Sequence, residues 1–308
     1  MALDTKTLLT MSAESLLKLH SKCFKIEAPF GGFFYGENKF MQIIIPTYGR
    51  GTDLTTLSSL PKHIKEWVTV VVQEREAHLW TKFNHDVLVQ VLPEWVQTVG
   101  PTRQWIINNY QGKVCIMDDD LVFATRRKDD LGKFTPSTEY EICDMLAGID
   151  NNLDEYPVVG LCPREGGNRK TNPTDVNTRV IRVTGLDLEV LKKHDVRYDR
   201  LPVMEDFDML LQMLELGYGN VCLNKWVHNQ GGSNSAGGCS TYRTEQLQTE
   251  AANGLHELHK PFVKVVKKKT KTAWGGGERT DVIIQWKKAG KFGQSNLLDQ
   301  RKVQSKAS

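Results

Sequence analysis

The chain has 308 residues, 40% hydrophobic and 25% charged, with a net charge of +3. That size and balance exclude a disordered chain and a small domain that depends on disulfides. No apolar run approaches the roughly 20 residues of a membrane-spanning helix. The six cysteines are scattered and form no C-x-x-C pair, so neither a structural zinc nor an oxidising compartment is expected. The N-terminus lacks a basic flank followed by an apolar run, so no signal peptide is expected either, and the expected location is the cytoplasm.

In chain order, residues 1–40 read as a helical and loop preamble, with a short helix over 12–20 and a glycine- and aromatic-rich turn over 31–36. Apolar runs then begin at Met41–Ile45, stopped by Pro46, and recur at Val68–Gln73, Val87–Leu92 and Val114–Met117. Their length and Val/Ile content predict strands buried on both faces. Thr102–Tyr110 reads as a helix before the fourth strand. Further strands are expected at Val158–Cys162 and Val180–Val183. Glu205–Leu216 has helical spacing and ends at Gly217. A glycine loop over 231–238, a helix over 241–259 and a basic segment over 259–290 follow. Residues 291–308 read as a polar, flexible tail. Strands alternating with helices predict an α/β fold with one mostly parallel sheet flanked by helices.

Ligands of open α/β sheets bind at the carboxyl ends of strands. Three segments stand there: Pro46-Thr47-Tyr48-Gly49-Arg50, Asp118-Asp119-Asp120, and Glu205-Asp206 at a helix start. Three aspartates directly after a buried strand repel one another, and a divalent cation removes that cost. Oxygen ligands select hard ions, Mn2+ or Mg2+. In an extended segment Asp118 and Asp120 point to the same side and can share one ion, or divide between an ion and a ribose. The competing possibility is a solvated acidic turn, and for Glu205-Asp206 an ordinary preference of carboxylates for a helix start.

The ordered segments resemble glycosyltransferases of the GT-A type, over about residues 40–245. I-I-I-P-T-Y-G-R at 43–50 resembles the first strand and nucleotide-contacting loop. Gly100-Pro-Thr-Arg103 resembles the helix that precedes the D-x-D strand, with Gln104 where asparagine is frequent. Asp118–Asp120 resembles the D-x-D motif. Glu205-Asp206 resembles the acidic motif that supplies the catalytic base, and His228 resembles the late histidine of the metal shell. A narrower resemblance, on G-P-T-R-Q-W-I at 100–106, M-D-D-D-L-V-F-A at 117–124 and V-M-E-D-F-D at 203–208, is to phage glycosyltransferases associated with TET/JBP dioxygenases.

The resemblance implies a catalytic domain over 41–258 that uses a UDP-sugar donor. It implies an acceptor of 5-hydroxymethylcytosine in duplex DNA, and a host cytoplasmic location if the chain is phage-encoded. Inversion is the expected outcome, although D-x-D is common to both stereochemical classes. Pro46, Thr47, Tyr48, Arg50, Arg103, Asp118 and Asp119 would contact the nucleotide sugar. Asp120 and His228 would hold the metal. Asp206, or else Glu205, would be the base, with Asp208 third. Lys264, Lys267, Lys268, Lys269 and Lys271 suit the phosphate backbone of DNA, on a strand with one basic face. The alternatives are a polysaccharide or protein glycosyltransferase, and a non-catalytic nucleic-acid-binding protein on the same fold.

Overall fold

The computed structural model describes residues 41–81, 87–230, 241–270 and 277–307. The preamble, the glycine loop and Lys271 lie outside the described residues. The strands are β1 (Gln42–Thr47), β2 (Val68–Val72), β3 (Leu88–Val91), β4 (Lys113–Met117), β5 (Leu121–Arg126), β6 (Phe134–Pro136), β7 (Val158–Pro163), β8 (Thr174–Val176), β9 (Val183–Asp187), β10 (Asn220–Gln230), β11 (Val263–Thr270) and β12 (Gly277–Ile284). The helices that matter for the site are α1 (Thr55–Ser59), α2 (Val99–Asn109), α3 (Glu139–Asn152), α4 (Leu188–Lys193), α5 (Glu205–Glu215), α6 (Glu245–Leu258) and α7 (Trp286–Ala307).

The central sheet runs β3-β2-β1-β4-β9-β7-β10-β5-β6, with β8 on β10. Its first four strands are parallel. Beyond β4 it is mixed: β9 is antiparallel to both β4 and β7, while β7 and β10 are parallel. Both faces are covered. Ile43, Ile45, Val70, Cys115 and Met117 pack with Met145 and Ile149 of α3 on one side. Ile44, Val71, Val114 and Ile116 pack with Ile106, Leu188 and Met209 of α2, α4 and α5 on the other. This two-residue alternation, apolar both ways, is what a doubly covered sheet requires. The edge strand β3 departs from it, since Leu88, Val89 and Val91 are exposed.

Three expectations need correction. Pro46 does not stop β1, which pairs with β2 through Thr47. The ladder with β4 ends at Ile44, so proline stands where that side needs no donor. The strand expected at Val180–Val183 starts at Val183 instead. Val180 turns aside to cover Gly160, where any Cβ would collide with its side chain. The polar stretch after 290 continues α7 rather than a tail. Trp286 packs edge-on to Phe207 at 5.8 Å and Phe292 lies 5.3 Å from Phe262.

The β11–β12 hairpin, α6 and α7 share a third apolar cluster with the outer side of α5. Period two divides the lysines of β11 between both faces rather than giving one basic face. Lys267 donates to Thr280 Oγ1 at 2.7 Å. Lys268 pairs with Asp281 at 3.1 Å. Lys264 and Lys269 are exposed. No helix among the described residues is long and apolar enough to cross a membrane.

Candidate active site

The carboxyl ends of β1 and β4, the first turn of α5 and the end of β10 meet at one edge of the sheet. The three aspartates form a turn rather than an extended segment. Thr56 of α1 supports it: its Oγ1 donates to the Asp118 carbonyl at 2.5 Å and accepts from Leu121 N at 2.8 Å. The Asp118 amide in turn donates to the Arg182 carbonyl at 2.8 Å. The carboxylates therefore point to different partners. Asp119 accepts from Thr47 Oγ1 at 2.6 Å. Arg50 spans Asp119 at 2.9 Å and Asp120 at 2.8 Å. Gln230 of β10 donates to Asp120 Oδ2 at 2.7 Å. Asp118 instead faces α2, where Arg103 reaches it at 2.9 Å.

Arg103 also donates to Glu205 at 2.8 Å, so one buried guanidinium joins the D-x-D turn to the acidic motif of α5. Burial would lower its pKa, but the carboxylates of Glu205 and Asp118 hold it well above the ordinary value. Both terminal nitrogens are engaged with carboxylates. The approach of α2 that makes this possible is tight: a Cβ at Gly100 would lie 2.9 Å from the Tyr198 carbonyl. One turn on, Gln104 accepts from Tyr198 N at 2.7 Å.

The adjacent acids of α5 differ. Glu205 is buried, and burial pushes its carboxyl up to about 7 against the opposing charge of Arg103. Asp206 is more open and faces Arg179 at 3.4 Å. Asp208 is fully buried on another side of the helix, held by Arg200 and His259, which removes it as a candidate base. Asp118 and Asp119 are also raised, chiefly by burial, Asp119 to about 6.

His228 lies on the same face of β10 as Gln230, two residues earlier, and is fully buried. Burial pushes its pKa down to about 3, with Arg182 acting the same way. Hydrogen bonding of the ring to the backbone of Leu161 and Ile181 opposes that shift, whereas Asp120 Oδ1 has no hydrogen-bond partner among the described residues. An unsatisfied buried polar atom costs about 1–3 kcal/mol, so the bare Asp120 Oδ1 is an atom that a ligand could satisfy. Among the described residues no three His, Cys, Asp or Glu side chains could hold a metal ion. Asp120 Oδ1 fits a cation that takes its remaining ligands from a diphosphate, and His228 would join it only by leaving its backbone contacts.

At the end of β1, Pro46 and Tyr48 are half-buried. The Arg75 guanidinium lies 4.3 Å over the Tyr48 ring, and Gly49 N donates to Glu76 at 2.8 Å. Sequence reasoning missed Arg179, Arg182 and Gln230. Arg182 has φ of 64°, a left-handed conformation that is costly for a side-chain-bearing residue and concentrates at functional sites. No local pattern announces it. Gln230 was findable, since period two from His228 places it on the same face.

The sequence profile of the family described as TET-Associated Glycosyltransferase matches residues 41–238. A beta-glucosyl-HMC-alpha-glucosyl-transferase of Enterobacteria phage T6 is 22% identical over 245 residues, covering 75% of this chain and 84% of that protein. The protein of the same description from Enterobacteria phage T2 is 21% identical with the same coverage. Among solved structures, GalNAc-T7 with UDP, GalNAc and Mn2+ aligns over 64% of this chain and 44% of its own, at 11% identity and a TM-score of 0.42. The profile match extends over more than half of the sequence, and its segment contains the Asp118–Asp120 turn, Arg103, Glu205-Asp206 and His228: the chain belongs to the TET-associated glycosyltransferase family.

Proposed function

We propose that the chain transfers a sugar from a UDP-sugar to 5-hydroxymethylcytosine in DNA, with Mn2+ or Mg2+ and with inversion. The observation that carries this reading is the meeting of two acidic motifs through Arg103, beside the unpartnered Asp120 Oδ1. Asp120 and His228 would hold the ion, which when bound supplies Lewis-acid stabilisation of the departing diphosphate. Arg50 steadies the Asp119–Asp120 turn and Arg182 adds positive charge beside Asp118. Tyr48, with Pro46 and Thr47 before it, would line the nucleotide side. Asp206, the more open of the two acids, would take the acceptor hydroxyl's proton. Glu205 and Arg103 position it.

A second reading concerns stereochemistry and acceptor. The phage T6 and T2 relatives are described as acting on beta-glucosyl-HMC and forming an alpha-glucosyl product. The same site could take a glucosyl hydroxyl in place of the hydroxymethyl group, and an α-configured donor would then give an α product by retention. Incubating DNA bearing 5-hydroxymethylcytosine, or its β-glucosyl derivative, with a panel of UDP-sugars tests both. Mass spectrometry of the digested nucleosides reads the added sugar, and proton NMR of the product reads its anomeric configuration. A hexose-sized mass gain on the unglucosylated base with an inverted anomer supports the first reading. A gain on the glucosylated base alone, with a retained anomer, supports the second. No gain on either DNA contradicts both.

A further inference from the structure

We infer that the cavity between the β5–β6 turn and the segment after β7 binds backbone phosphates of the acceptor DNA; this rests on the proposed DNA acceptor. The cavity has a volume of about 420 Å³ and is lined by Arg127, Gly132, Lys133, Phe134, Arg164 and Asn168. Residues 126–134 and 164–170 together carry seven arginines and lysines against three carboxylates.

Its walls are braced from behind by Arg126. That guanidinium donates to the carbonyls of Asn224 at 2.9 Å, Gly167 at 3.0 Å and Leu131. It also lies 4.7 Å over the Phe134 ring. Arg126 thereby ties both walls to β10 and leaves the cations in front free to face outward. Arg127 and Lys133 are engaged only with the nearby Asp129 and Asp130 on the surface. Such exposed pairs are weak and exchange readily for a phosphate. Arg164 makes no hydrogen bond or ion pair with the described residues and is exposed.

The placement suits a strand that passes the active site. Pro163, the residue before Arg164, is in register with His228. Its successor Glu165 pairs with Arg182 at 3.3 Å, so this wall borders the catalytic edge. The other wall ends β5, which begins beside Asp120. The six residues of β5 span about 20 Å, the length of about six phosphates along one strand of a duplex. A base turned out of the stack towards Asp206 would leave its neighbouring phosphates within reach of this cavity. The β11 lysines are less suited, because period two divides them between two faces of the hairpin and fewer of them can meet one strand.

The test is fluorescence anisotropy of a labelled duplex containing 5-hydroxymethylcytosine, across a salt series. Each phosphate contact contributes about 0.9 to the slope of log affinity against log salt. The triple variant R127Q/K133Q/R164Q is expected to lower the slope by roughly 2 to 3 units. The charge-conserving variant R127K/R164K is expected to keep it, which separates lost charge from lost folding. The hairpin variant K264Q/K268Q is expected to lower it by less than one unit. A triple variant with the wild-type slope overturns the cavity assignment, as does a hairpin variant that loses more slope than the triple. A wild-type protein that neither binds nor modifies this duplex defeats the DNA acceptor reading itself, and the cavity assignment with it.

Discussion

Helix α5 carries two clusters of buried charge less than one turn apart, and they are built in opposite ways. Around Asp208 every group is paired. Asp208 accepts from Arg200 at 2.9 Å, from Gln212 at 3.1 Å and from His259 at 2.7 Å. The other ring nitrogen of His259 meets Glu215 at 2.7 Å. Around Glu205 and the aspartate turn, the buried Asp120 Oδ1 and Arg103 Nε have no hydrogen-bond partner among the described residues. A satisfied buried network stabilises and specifies one packing, whereas an unsatisfied one is costly unless a ligand completes it. The first cluster fastens α5 to the end of α6. The second faces the end of the sheet where α/β folds bind ligands.

The largest expected effect lies in the second cluster. Asp206→Ala should lower sugar transfer by about 10²- to 10⁴-fold, the usual contribution of a positioned base, with thermal stability near wild type. Steady-state turnover on hydroxymethylated DNA measures it. A variant with undiminished turnover would return the role of base to Glu205.

Asp208→Asn should do the reverse. Leaving Arg200 and His259 without their carboxylate should cost about 3–5 kcal/mol of stability, read as a lower urea midpoint, with activity per folded molecule retained. Arg103→Met crosses the divide between the clusters. It strands Glu205 and Asp118, so a similar loss of stability should come together with a loss of turnover. If Arg103→Met lost activity at full stability, the bridge would be a contact to the donor rather than the strut described above.

A smaller effect separates the clusters by pH. Glu205 titrates at about 7 in the folded chain against 4.5 ordinarily. The native state therefore holds its proton more tightly, and stability falls as pH rises from 4.5 to 7. His259 is lowered by burial but raised more by Asp208 and Glu215, for a net rise above 6.5. Its stabilisation is complete below 6.5 and lost as pH rises through the folded value. Urea midpoints across pH for Glu205→Gln and His259→Gln, each taken as a difference from wild type, should deviate from pH 4.5 to 7 for the first and from 6.5 upward for the second. Deviations confined to one shared window would mean that the clusters titrate as one.

Much of the second cluster was legible in the sequence, because β1, β4 and α5 have unbroken apolar periodicity and the charged residues stand where those patterns end. Asp118–Asp120, Glu205 and Asp206 could be placed for that reason. The partners could not. Arg50 and Arg103 were assigned to the nucleotide; the sequence did not show that Arg50 also reaches Asp120, 70 positions away, and Arg103 reaches Glu205, 102 positions away, a choice set by tertiary packing. Arg182 was read as strand because V-I-R-V is apolar enough, and the collision of Val180 with position 160 is long-range. The mostly parallel sheet was legible, but which strand runs antiparallel was not, because the apolar run of β9 does not encode direction. The β11 lysines were counted as one face, although period two already divided Lys267 from Lys268.

The central claim is that the unsatisfied cluster is the donor site and is completed by a divalent ion on Asp120. Calorimetric titration of UDP, with and without Mn2+, into the wild type, Asp120→Ala and Asp206→Ala tests it most directly. The account predicts Mn2+-dependent binding to the wild type and Asp206→Ala, and none to Asp120→Ala. Equal UDP affinity in excess chelator, or equal loss in both variants, would contradict it.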